Sequence, residues 1–241
     1  MGEKLLTISE AAKMLGVSID TLRRWDKKGT LASLRGSASG YRYYLEGDLL
    51  FFWNDLFKMA EDWVLKETGS EPHSDLYCQT NDVFQNRLIK LQNSLSCLTN
   101  LAVPFSLIVA LIGEVGNNSF DHNLGSWRDI PGIFFGYNLE KKYIVLADRG
   151  QGILTTLKRV KPSLTTYAEA MQTAFTEVLS GRAPETRGNG LKFVKNIVIE
   201  NQLKFFFESG DAKLSLEHGD TSLDIAEKIP LVHGCVAMLQ F

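Results

Sequence analysis

Residues 107–123 read LIVALIGEVGNNSFDHN, an apolar run that turns polar halfway along. At helical spacing, Glu114, Asn117, Asn118, Asp121 and His122 occupy positions i, i+3, i+4, i+7 and i+8, so carboxylates, amides and an imidazole share one face. Desolvating so many polar groups without partners is costly, and the face is therefore expected to meet a ligand or a metal. An amide oxygen is a hard donor suited to Mg2+, which takes few protein ligands where phosphates supply the rest. A solvated polar helix end is the alternative reading of the same residues.

Downstream, IVLADRGQGI at residues 144–153 reads as a strand that ends in Asp148 and runs into Gly150 and Gly152. Glycines there let the backbone turn sharply and approach a ligand, and a carboxylate at a strand end accepts a hydrogen bond from an exocyclic amine. TRGNGLKFVKNIV at residues 186–198 then puts Gly188, Asn189 and Gly190 at the start of an apolar helix, where free N–H groups and the positive dipole end favour an anion. Arg187 and Lys192 stand beside that loop.

In this order the three segments resemble the GHKL ATPase superfamily, which includes histidine kinases, the DNA gyrase B subunit, the MutL mismatch-repair proteins and the anti-sigma-factor serine kinases. The resemblance covers about residues 82–241. It implies an α+β two-layer sandwich, the Bergerat ATP-binding fold, with ATP and Mg2+ as ligands. EVGNNSFDHN corresponds to the N box, which implies Asn118 as the Mg2+ ligand and Glu114 as the general base kept by gyrase-like and serine-kinase members. ADRGQGI corresponds to the D-x-G-x-G box, which implies Asp148 as the partner of the adenine amino group, with Gly150 and Gly152 beside it. RGNGL corresponds to the phosphate-binding glycine box, implying contacts from Arg187, Gly188, Asn189, Gly190, Leu191 and the adjoining Lys192. His122 falls where many members set a side chain against the nucleotide, and Asp121 is a candidate with it. Residues 162–186 would form the ATP lid. Two departures bear on turnover more than on binding. Gly234-Cys235 stands where Gly-Thr is usual, so a phosphate-contacting hydroxyl is expected to be missing, and Lys192 stands where another glycine is common.

Around these boxes, helices and strands alternate, which implies an α/β or α+β class for the C-terminal part. Strands are expected at 132–137, 142–147, 204–208, 213–217 and 235–241, and helices from Pro104 to about His122, at 167–179 and at 190–201. Phe84, Leu88, Leu91, Leu95 and Leu98 form one helical stripe. The stripe either packs on the chain's own domain or serves a homodimer. Residues 68–81, rich in Gly, Ser, Pro and Thr, read as a linker between a domain at 1–67 and a domain at 82–241.

The first domain reads as short helices, a tight turn, a small hairpin and an apolar helix at 48–66. LTISEAAKMLGVSIDTLRRWDKKGTL at residues 6–31 starts a helix at Thr7 or Ser9, buries Ala11, Ala12 and Leu15, turns at Gly16, and caps a second helix with Ser18. Leu22 and Trp25 face inward, while Arg23, Arg24, Lys27 and Lys28 face outward. RGSASGYRYY at residues 35–44 supplies a turn suited to a wing. From residue 13 to 42 there are seven basic residues and two acidic ones, and from 43 to 70 two basic and six acidic. A basic helix beside a basic wing suits phosphate contacts and groove entry. Over about 55 residues this pattern resembles the small α-helical winged helix-turn-helix of the MerR family and related excisionase-type modules. The resemblance implies binding of double-stranded DNA through Ser18, Thr21, Arg23, Arg24 and Lys27 near the major groove and Arg35, Tyr41 and Arg42 on the wing. Trp25 and Tyr43 are expected in the core.

The 241 residues carry 26 Lys+Arg against 28 Asp+Glu, so attraction to DNA must be local, not global. Three scattered cysteines give no disulfide framework or zinc motif, and no apolar run is long enough to span a bilayer, so a cytoplasmic, membrane-free setting is expected. Joined, the two resemblances imply a DNA-binding regulator whose ATP–Mg2+ state modulates DNA binding or oligomerisation. The alternatives are a serine/threonine protein kinase or ATPase acting on a protein partner or water through Glu114, and a non-catalytic nucleotide-binding adaptor.

Overall fold

The computed structural model describes residues 4–15, 17–28, 31–35, 40–46, 49, 56–177 and 190–241. The chain divides into two compact units, one of Met1–Met59 with Tyr137–Lys142, the other of Ala60–Gly136 with Tyr143–Phe241.

In the first unit, strand β1 (Leu5–Thr7) leads directly into helix α1 (Ile8–Leu15), followed by helix α2 (Ile19–Lys28) and strand β2 (Tyr43–Leu45). Thr7 and Glu10 cap α1 reciprocally: Glu10 N donates to Thr7 Oγ1 at 3.3 Å and Thr7 N donates to Glu10 Oε2 at 2.8 Å. Ser18 caps α2 by accepting from Thr21 N at 3.0 Å. Ala11, Ala12, Leu15, Leu22 and Trp25 form the core between the helices, as the period requires. β1 pairs antiparallel with β2, Leu6 opposite Tyr44. Strand alternation therefore buries Tyr44 and leaves Tyr43 39% exposed, which corrects the expectation that Tyr43 is a core residue. Most of the helix expected at 48–66 before Leu56 lies outside the described residues.

The second unit begins within helix α3 (Leu56–Leu65). Strand β3 (Tyr77–Cys78), helices α4 (Asn81–Ser96) and α5 (Phe105–Asn123), and strands β4 (Ile133–Asn138) and β5 (Tyr143–Asp148) follow. Helices α6 (Gly152–Lys158), α7 (Tyr167–Thr176) and α8 (Gly190–Glu200) then precede two long strands, β6 (Lys204–Glu217) and β7 (Asp224–Gln240). The sheet order is β3-β4-β5-β7-β6, with β3/β4, β5/β7 and β6/β7 antiparallel. This is an α+β domain, helices packed on a mainly antiparallel sheet. The segment read as a linker, 68–81, holds the edge strand β3, and Gly69 N donates to Asp129 Oδ2 at 2.8 Å.

Phe84, Leu88, Leu91 and Leu95 are buried, while Leu98, the last residue of the expected stripe, lies beyond the end of α4 and is half-buried. Phe84 packs edge-on to Phe135 of β4, centroids 5.3 Å apart. The stripe is thus covered by the chain's own domain, and a homodimer would need another surface. Two expected strands, 204–208 and 213–217, are one: SGDA at 209–212 makes a register shift against β7 and not a turn, so β6 bends without ending. β7 begins earlier than expected, because Pro230 and an exposed Ile229 mask its pattern. Among the described residues no helix is long and apolar enough to cross a membrane.

Candidate functional site

A cavity opens between α5, α6, the start of α8 and the sheet. Its walls are largely apolar, with Val115, Leu146, Ile153, Leu157, Phe207 and Ala237 among them. One buried carboxylate, Asp148 at the end of β5, faces it. Ser119 Oγ donates to Asp148 Oδ2 at 2.8 Å, while Gly150 N and Asn123 Nδ2 donate to Oδ1 at 2.9 and 3.2 Å. Burial outweighs these bonds and pushes the carboxyl from its ordinary 3.8 up to about 6.

Ser119 and Asn123 were not among the sequence candidates. The signal was present, since they stand at i+4 and i+8 from Val115, one step around the helix from the face chosen. Asn123 also accepts from Gln151 N at 2.9 Å, so one α5 side chain fixes both the carboxylate and the loop after it.

At the other end of the cavity, Asn118 Nδ2 lies 3.4 Å from Glu114 Oε1. Gly190, the first residue of α8, sits against both: a Cβ there would lie 2.1 Å from Glu114 Oε1 and 2.8 Å from Asn118 Nδ2. A side chain at this position would have to push the Glu114 and Asn118 side chains aside. Asn118, His122, Gly152, Gly190 and Leu191 line the cavity. Burial and the nearby Arg159 hold the His122 imidazole below its ordinary pKa, favouring the neutral form. Asn117 turns aside to accept from Gln85 Nε2 at 2.8 Å. Asp121 is exposed, and neither it nor Lys192 is in the lining. Arg187, Gly188 and Asn189, with 178–186 of the expected lid, lie outside the described residues, and the described part of that segment carries α7.

Cys235 was expected to mark a missing hydroxyl at the phosphate end. The β5/β7 register instead sets it opposite Asp148, with Sγ 3.6 Å from Ser209 Oγ, so the departure falls at the carboxylate end. Burial pushes its thiol well above the ordinary value.

In the first unit, Arg24, Lys27 and Tyr41 are exposed, and Arg23 is exposed with Asp20 2.8 Å away. Thr21 is only 6% exposed, its hydroxyl 2.9 Å from the Ser18 hydroxyl, so it serves the α2 cap. Arg35 and Arg42 both pair with Asp26, whose side chain is 6% exposed, and Asp26 also accepts from Ser33 N at 2.9 Å. Asp26, missed in the sequence, ties the residues after α2 to that helix.

The fold and site define a helix-turn-helix module joined to an α+β domain built around a pocket with a buried carboxylate. Residues 7–44 match the model of the MerR family regulatory proteins. The type II methyltransferase M.Eco47II of Escherichia coli is 42% identical over 57 residues, 24% of this chain and 14% of that protein. Among solved structures, the 43K ATPase domain of Thermus thermophilus gyrase B in complex with an aminocoumarin is similar at 18% identity and TM-score 0.33, over 54% of this chain and 32% of that one. The topoisomerase IV ATP-binding domain of Francisella tularensis, in complex with a small-molecule inhibitor, is similar at 19% identity and TM-score 0.35, over 64% and 40%. The chain thus spans well under half of each relative.

Proposed function

We propose that this protein is a DNA-binding regulator whose C-terminal domain binds ATP with Mg2+, the nucleotide state altering DNA affinity or oligomerisation. The observation that carries the nucleotide half is Asp148: a carboxylate buried in a slot whose walls are largely apolar suits a flat ring bearing one amino group. The described residues suit the base, the metal and part of the phosphate end. Asp148 would accept the exocyclic amine, the apolar walls would cover the base, Asn118 would hold Mg2+, and the N–H groups at the start of α8 would meet phosphate. Support for the DNA half comes from the MerR-family match at residues 7–44 and the exposed Arg23, Arg24 and Lys27.

Calorimetry with ATP–Mg2+ on the wild type and Asp148→Asn tests nucleotide binding. DNA affinity measured with and without saturating ATP–Mg2+ tests the coupling, which equal affinities would sink.

Glu114 favours a second reading, an ATPase or serine/threonine protein kinase. Its carboxylate stands where α5 meets the α8 start, beside Asn118 though outside the cavity lining, and would activate water or a hydroxyl at a phosphate bound there. ATP binding without turnover would leave the regulator alone, and no measurable nucleotide affinity would favour a non-catalytic adaptor.

A further inference from the structure

Consecutive residues of an extended chain send their side chains to opposite faces, and two such pairs stand beside the cavity. At the end of β5, Asp148 faces the cavity while Arg149 turns away. The Arg149 side chain is 0% exposed, and it pairs with Asp129 at 2.9 and 2.6 Å. It also donates to the backbone carbonyls of Trp63 and Glu67 and lies 6.0 Å from the centre of the Trp63 ring. In β6, Ser209 faces the cavity side, accepting from Ile153 N at 3.1 Å and donating to the Gly234 carbonyl at 2.9 Å. Its neighbour Glu208 pairs with Lys228 at 2.8 Å, and Lys228 pairs with Glu61.

Both pairs end at the same place, the C-terminal half of α3 and the turn after it. Trp63 and Glu67 present carbonyls at the negative end of the helix dipole, where a cation is favourable. A guanidinium keeps its charge at every accessible pH and holds several acceptors in fixed directions. A shift of the backbone at 148–150 therefore moves Arg149 and the carbonyls it holds. The chain runs back from α3 into the helix-turn-helix module.

We propose that Arg149 is a positioning residue that carries nucleotide occupancy at Asp148 to α3, with Lys228 and Glu61 as a second tie. This rests on the nucleotide-binding reading above and adds the route of its regulation.

Hydrogen exchange on the full chain, with and without ATP–Mg2+, tests the route. In the wild type, ATP–Mg2+ is expected to slow exchange of the amides at 60–67 by about fivefold or more. In Arg149→Met, ATP–Mg2+ still binds by calorimetry, within about tenfold of wild type, but the slowing at 60–67 is lost. Asp129→Asn keeps the arginine and removes its ion pair. It serves if Arg149→Met does not fold, and it is expected to lose at least about half of the slowing. Slowing that persists in whichever variant folds overturns the proposal, as does a wild type that binds ATP–Mg2+ without slowing at 60–67. A wild type that shows no calorimetric binding removes the nucleotide reading and this route with it, so the two failures are distinct.

Discussion

Gly234 packs directly against Asp148: a Cβ on Gly234 would lie 2.0 Å from the Asp148 carbonyl oxygen and 2.7 Å from Oδ1. Its φ of +88° is also one that side chains rarely adopt. Gly234→Ala is expected to destabilise the fold by about 2 kcal/mol or more, from strain and clash together. Gly219 has a similar φ, +84°, with nothing within 4 Å of a Cβ, so Gly219→Ala isolates the strain, about 1 kcal/mol. Denaturant midpoints of the two variants check the ranking, and equal losses would refute the clash.

Asp148 is expected to make stability, and the proposed ATP–Mg2+ binding, depend on pH. Its carboxyl titrates at about 6 in the fold against 3.8 ordinarily, so the folded protein takes up this proton at higher pH than the unfolded chain. The contribution is unfavourable by about 3 kcal/mol above pH 6 and is relieved as pH falls from about 6 to about 4. Asp148→Asn is expected to remove that slope from unfolding curves. An ionised carboxylate is the stronger acceptor, so wild-type ATP–Mg2+ affinity should weaken below about pH 6. Asp148→Asn should bind about tenfold or more weakly and lack this pH component.

Glu114→Ala separates binding from turnover. If the carboxylate activates water or a hydroxyl, phosphate release or transfer falls by about a hundredfold or more while the ATP–Mg2+ dissociation constant stays within about threefold. Activity surviving at the wild-type rate would remove Glu114 from that role.

On the DNA side, burial divides the candidates. Lys27 is exposed, and Lys27→Ala should weaken binding to all duplexes alike and reduce the salt slope by about one. Thr21 is buried in the α2 cap, so Thr21→Val should lower the melting temperature and leave the salt slope unchanged. Fluorescence anisotropy across a salt series reads the slopes and thermal denaturation reads the melting temperature, and weaker DNA binding by a folded Thr21→Val would put that hydroxyl at the DNA.

The residues that periodicity controls were legible in the sequence by itself. The polar face of α5, the start of α1 at Thr7 or Ser9, the cap at Ser18, the stripe from Phe84 to Leu95 and the glycine at the start of α8 follow from spacing within one element. What lay between elements was not legible. Tyr44 and not Tyr43 is buried because the β1/β2 register decides it, and a one-residue slip would exchange them. Cys235 meets Asp148 because β7 returns beside β5, and Arg149 reaches Trp63 and Glu67 because its neighbour Asp148 takes the other face. Closing a long loop costs little more than closing a short one. The chain order therefore says little about which distant residues meet; strand pairing and the packing of α3 and α5 decided that.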